Sequence, residues 1–174
     1  MNLVPGAPTW LILLFAFAMA AAAIEDAVRL RISNVTSLLI LVGAVAAAVI
    51  EGPALILWQN VVVLAVILFL GTAAFSAGWL GGGDVKLFAA AGLWFDLKSA
   101  IWFVAITFLA GGAVAIAYMV SRPFRTNAKN ARNTRIPYGI AIALGAILMV
   151  ILDRGALAHH DRPLPPIRIN PNRG

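Results

Sequence analysis

The sequence predicts an all-α polytopic membrane protein, a bundle of about six transmembrane helices. Three observations carry that expectation. Hydrophobic residues make up 62% of the chain and charged residues 11%, against roughly 45–50% and about 25% in soluble domains. Mean hydropathy is +0.94. The apolar residues are gathered into runs split by short polar breaks, and 174 residues hold about six crossings of ~20 residues with their connections.

The first span is expected from about Thr9 to Glu25. No Lys or Arg precedes Arg29, so the positive n-region of a signal peptide is missing, and the segment is read as a retained span. The polar stretch EDAVRLRISN follows, then a second span over about Val35–Ile50. Glu51-Gly52-Pro53 marks a turn, because Gly frees φ and Pro removes a donor. The third span runs from about Leu55 to Trp79 with Gln59 and Asn60 near its start, where they are expected to bond between helices. The fourth, Val85–Phe95, is short for a crossing; either its neighbours shield it or the bilayer thins around it. The fifth covers about Ser99–Val120 and the sixth about Ile136–Leu152. Residues 1–152 are thus expected to form one transmembrane domain. Residues 153–174, rich in Pro, Arg and Asn, are expected to form a disordered polar tail.

Composition also excludes. With no cysteine, disulfides, iron–sulfur clusters and thiol catalysis are ruled out. The net charge of +6 is assigned to loops at the membrane surface, beside lipid headgroups, and not to a nucleic-acid partner. His159-His160-Asp161 is the one metal-like cluster; it lies in the tail, so neither a metal nor another cofactor is expected.

Charge orients the spans. One side collects Arg29, Arg31, Lys86 and the basic residues of the loop Arg122–Arg135; among the short loops the other side has Lys98 alone. The richer side is expected to be cytoplasmic, with both termini on the opposite side.

Two carboxylates then stand out. Asp26 and Asp84 are separated by the second and third spans. Two crossings return the chain to the same face, so both acids sit at the cytoplasmic ends of different helices. Each has a plain structural reading. Asp84 follows glycines and opens an apolar run, as a helix cap does. Asp26 ends a helix, where the dipole disfavours an anion, and Arg29 and Arg31 are near enough in sequence to neutralise it. The sharper reading is hydrolysis by paired carboxylates. Two close acids cannot both ionise cheaply, so they share a proton. The ionised one takes a proton from water and the protonated one polarises a scissile carbonyl. Asp84, at a helix N-terminus, is expected to be the more acidic partner. Gly81 and Gly83 would let an extended peptide approach, with φ > 0 available to the backbone.

These residues resemble the type IV prepilin peptidase family. Gly81-Gly82-Gly83-Asp84, followed by Val85-Lys86-Leu87, is similar to its Gly-x-Gly-Asp signature. The family's first aspartate stands eight residues before the Asn of a basic stretch ending Ile-Pro-Asn, as Asp26 stands before Asn34, with Arg29, Arg31 and Ile32 between. Ile136-Pro137-Tyr138-Gly139 is similar to its Pro-Tyr-rich last helix. The resemblance implies a multi-pass aspartic endopeptidase of the bacterial inner membrane, with no cofactor. It would act at the cytoplasmic face and remove basic leader peptides from pilin-like precursors, whose own apolar helix lies in the membrane. By this likeness Asp26 and Asp84 are the catalytic pair, and Gly81, Gly83, Lys86, Asn34 and Tyr138 shape the site. Lys86 is expected to snorkel or to pair with an Asp. The larger members carry a cysteine-bearing cytosolic insertion and N-methylate the new terminus. This chain has neither insertion nor Cys, and looks like the small tight-adherence (Flp pilus) subtype, a peptidase without N-methyltransferase activity.

The chain departs from the pattern at two positions. Ser33 stands where the pattern has Pro, and Glu25 precedes the first Asp where an apolar residue is expected. Glu25 is expected to act on Asp26 as a neighbouring charge or to compete for its role. Two other readings stay open at this level: a non-enzymatic membrane subunit or small transporter using the same acids, and a presenilin-like intramembrane protease with other substrates. Oligomeric state is left open.

Overall fold

Helix runs through nearly all of the described residues. The computed structural model describes residues 1–52, 57–121 and 138–160, and among them there are seven helices and no strand. The loop Arg122–Arg135, Pro137 and the segment 161–174 lie outside the described residues.

The helices are α1 (Leu3–Gly6), α2 (Thr9–Arg29), α3 (Asn34–Glu51), α4 (Trp58–Ser76), α5 (Gly82–Gly92), α6 (Leu97–Ser121) and α7 (Tyr138–His160). Five of them, α2, α3, α4, α6 and α7, are long and apolar enough to cross a membrane. Their outward faces carry large apolar side chains such as Phe17, Phe69 and Leu109, each about three-quarters exposed (74%, 75% and 75%). In water such a surface would aggregate; in lipid it is the required solvent-facing layer. The chain is an all-α multi-pass membrane protein.

Local sequence explains the breaks. The Ala-rich run before Glu25 favours helix, and α2 stops where Leu30 turns left-handed at φ 52° and returns its N–H to the Asp26 carbonyl. Ser33 starts α3 as an N-cap, its Oγ accepting from the Val35 N–H at 3.1 Å. Gly52, at φ 92°, ends α3. Asp96 starts α6 by accepting from the Ser99 N–H at 2.8 Å.

The chain passes back and forth between two ends. Asp26, the α2–α3 loop, the Ser76–Gly81 turn, Asp84 and Tyr138 gather at one, here the aspartate end. Leu3, Asn60, Leu93, Ser99 and Asp153 gather at the other. The core between them is aromatic: Trp94, Phe15, Phe95 and Phe103 are fully buried. Phe15 and Trp94 meet at 4.6 Å between ring centroids, and the Trp94 indole N–H donates to the Ile40 carbonyl at 3.0 Å.

Helix α5 has 11 residues, which is about 16 Å of helix and about half of the ~30 Å hydrocarbon core. Just past its end lies α1. Leu3 and Val4 are buried, and the Leu3 N–H donates to the Trp94 carbonyl at 3.0 Å. α1 is thus a neighbour that covers the end of the short fourth span. The far end of α7 holds this plug. Asp153 accepts from the Asn2 amide at 2.7 Å, and Arg154 donates to the carbonyls of Val4 and Ala7. Helix α7 itself continues past Leu152 to His160. Asn60 bonds between helices as expected, its amide donating to the Leu93 carbonyl at 2.9 Å.

Candidate active site

Asp26 lies in the last turn of α2 and Asp84 in the first turn of α5. Both are removed from solvent, at 4% and 8% exposure. They line one cavity of about 440 Å³, together with Leu30, Phe75, Gly81, Gly82 and Tyr138. A narrower cleft of about 190 Å³ also borders both acids and adds Arg31, Ile32 and Gly83 from the loop beside them.

Each carboxylate is held by a backbone N–H. Asp84 Oδ2 accepts from the Gly81 N–H at 3.1 Å, the backward half of a capping box, in which a residue at the third helical position reaches the cap. Asp26 Oδ2 accepts from the Gly139 N–H at 2.7 Å. Gly139 is in the first turn of α7, where backbone donors have no partner inside the helix. A helix N-terminus thus offsets the unfavourable position of Asp26 at the C-terminus of α2. Each carboxylate meets a helix N-terminus, α5 for Asp84 and α7 for Asp26, so that feature alone does not make Asp84 the more acidic partner. Among the described residues Asp84 Oδ1 is buried and has no hydrogen-bond partner.

Gly139 is the residue that sequence reasoning missed. A Cβ there would lie 2.8 Å from Asp26 Oδ2 and 2.9 Å from Asp26 Cβ, inside van der Waals contact. The only signal was its place after Pro137-Tyr138, and nothing local linked it to an acid 113 positions away.

The glycines before Asp84 act by size. A Cβ on Gly83 would come within 3.1 Å of Ile32 Cβ and 3.3 Å of the Ile32 backbone N and O, and one on Gly81 within 2.7 Å of Asp84 Oδ2. The expected use of φ > 0 is not seen in this run: Gly81 is extended at φ −79° and only Gly52 and Gly78 among the described glycines are left-handed. The reason is that Gly81 and the two residues after it start a helix, where negative φ is required.

Tyr138 borders the cavity. Lys86 and Asn34 lie outside it and bond to each other across α5 and α3, Nζ to Oδ1 at 3.0 Å, on an exposed surface. Lys86 therefore pairs with an amide and not with an Asp. Glu25 faces away from Asp26; its Oε2 accepts from the Ser33 N–H at 2.9 Å and from the Thr36 hydroxyl at 3.2 Å. Among the described residues no group of three or more His, Cys, Asp or Glu side chains is arranged to hold a metal ion.

An apolar groove of about 360 Å³ runs along the outside of the bundle between α4 and α6, over Gly71 and Phe88. Leu80 lines both this groove and the aspartate cavity.

Fold and site together describe a helical membrane bundle with two buried acids in one cavity at one end. The sequence model of the Type IV leader peptidase family matches residues 13–116, a span that includes both aspartates, and the chain belongs to that family. No curated protein and no solved structure matches the chain.

Proposed function

We propose that the chain is an aspartic endopeptidase that removes the leader peptide of type IV, Flp-type prepilins, with Asp26 and Asp84 as its catalytic pair. The observation that carries this is their meeting in one cavity, each acid held among the described residues by one backbone N–H. Two carboxylates that share a water-poor space hold one proton between them at low cost and two charges at high cost. The ionised partner takes a proton from a water, whose oxygen attacks the scissile carbonyl. The protonated partner gives its proton to the carbonyl oxygen. The tetrahedral diol collapses as the C–N bond breaks, and the amide nitrogen leaves with a proton from the pair. Among the described residues the buried Asp84 Oδ1 has no hydrogen-bond partner, and the reading gives it the bound water or carbonyl as its partner once substrate docks.

The substrate is a pilin-like precursor with a basic leader followed by an apolar helix. That helix would lie in the lipid-facing groove between α4 and α6, which brings the junction past Leu80 to the acids. The aspartate end is assigned to the cytoplasmic face of the inner membrane, supported by Arg29, Arg31 and Lys86 at that end. Only eight positions separate Asp26 from Asn34, with no cytosolic insertion, and there is no Cys. Both features support a peptidase without N-methyltransferase activity.

Co-expression with a candidate precursor, followed by mass measurement of its N-terminus, tests the reading. Cleavage by the parent chain and none by Asp26→Asn or Asp84→Asn is expected. Full cleavage by either variant removes that acid from the mechanism.

A further inference from the structure

The two positions at which this chain departs from the prepilin-peptidase pattern, Glu25 and Ser33, are hydrogen-bonded to each other. Ser33 caps α3 with its hydroxyl, while its own N–H donates to Glu25 Oε2 at 2.9 Å. In an ordinary capping box the residue at the third helical position returns a carboxylate to that N–H. Here the third position is Thr36, which has none, and its hydroxyl donates to the same Glu25 oxygen at 3.2 Å. Glu25 thus completes the box from a different helix. A proline at position 33 would have no N–H to satisfy. Ser33 creates the donor, and Glu25 supplies the acceptor.

The clip has a consequence at the site. Glu25 is the residue before Asp26, and Ser33 closes the loop that carries Arg31 and Ile32. That loop forms a wall of the cleft bordered by both acids. Ile32 lies against Gly83 so closely that a Cβ on Gly83 would come within 3.1 Å of it, and Gly83 precedes Asp84. One carboxylate therefore ties the backbone beside Asp26 to the backbone beside Asp84. We infer that Glu25 is a positioning residue: through Ser33, Thr36 and the Ile32–Gly83 contact it holds the spacing of the two acids. The inference rests on Asp26 and Asp84 being the catalytic pair.

Steady-state cleavage by the full chain in detergent or nanodiscs, paired with hydrogen exchange across the α2–α3 loop, tests it. Glu25→Ala is expected to lower kcat about tenfold, as expected for losing hydrogen bonds to a charged group, with KM changed less than about twofold, since peptide contacts are untouched. The loop amides around Ser33 exchange faster. Glu25→Gln keeps an acceptor oxygen, so kcat and exchange both return to near the parent values. An unchanged kcat or unchanged exchange in Glu25→Ala overturns the inference. So does a Gln variant as impaired as the Ala one, which would mean that the negative charge acts and not the tether. If Glu25→Ala does not fold, Thr36→Val removes one donor and should lower kcat by a smaller factor; no change in that variant is equally fatal. The exchange readout does not depend on which residues perform the chemistry. Failure of the catalytic-pair reading, seen as activity in Asp26→Asn, is therefore distinguishable from failure of the tether.

Discussion

Asp96 and Asp153 at one end of this bundle and Asp26 and Asp84 at the other are used differently, although Glu51 at the far end also keeps both buried carboxylate oxygens without a partner among the described residues. At the far end Asp96 caps α6 through the Ser99 N–H and Asp153 accepts from the Asn2 amide, while Arg154 satisfies carbonyls of the α1 plug. Each of these side chains fastens one piece of backbone or side chain to another. At the aspartate end Asp26 and Asp84 each receive one backbone N–H and border open space, and Asp84 keeps a buried oxygen without a partner among the described residues. Unused hydrogen-bonding capacity is costly inside a protein. What sets Asp26 and Asp84 apart is that both border one cavity, and the catalytic role proposed for them rests on that.

The largest expected effect tests that contrast directly. Asp26→Asn and Asp84→Asn should each lower leader cleavage by on the order of 10³-fold or more, whereas Asp153→Asn should alter it less than about threefold and act on thermal stability. Cleavage assays on the three variants, with helix content checked by circular dichroism, decide it. If Asp153→Asn is as inactive as the others while folded, the two ends do not differ as described.

Gly139→Ala comes next. The added methyl meets Asp26 at 2.8–3.0 Å and must displace the carboxylate or α7. A loss of about 10²-fold in kcat is expected from a misplaced catalytic group. Gly83→Ala presses on Ile32 at 3.1–3.3 Å, a looser contact, and should cost about tenfold. The order of these two variants, read from kcat, sharpens the assignment of Gly139 as the direct partner of Asp26.

At the far end Arg154→Ala should free the α1 plug. A stability loss of about 1–3 kcal/mol, as for buried polar groups left unpaired, with kcat within about twofold, is the expected pattern in thermal melts and assays. Lys86→Met should do least. Its bond to Asn34 is exposed, and a stability change within about 0.5 kcal/mol is expected.

The spans, their order and the return of Asp26 and Asp84 to one end were legible in the sequence. These follow from run length and from counting crossings. The uses of particular side chains were less so. Lys86 finds an amide, Glu25 turns from its neighbour to the next helix, and the α5 glycines serve by lacking a Cβ and not by φ > 0. Each depends on how far a helix is rotated about its axis, and hydropathy is nearly silent on rotation when every face is apolar.

The chain's one-dimensional pattern determined that this protein is a multi-pass helical bundle with two acids at one end, because bilayer thickness sets span length and each crossing reverses the side. Only the tertiary structure decided that an α7 backbone N–H holds Asp26, that Glu25 bridges to Ser33, and that α1 packs at the end of the short α5. Those choices join residues far apart in the chain, and they are made by packing and by the need to satisfy buried polar groups, which no local stretch of sequence records.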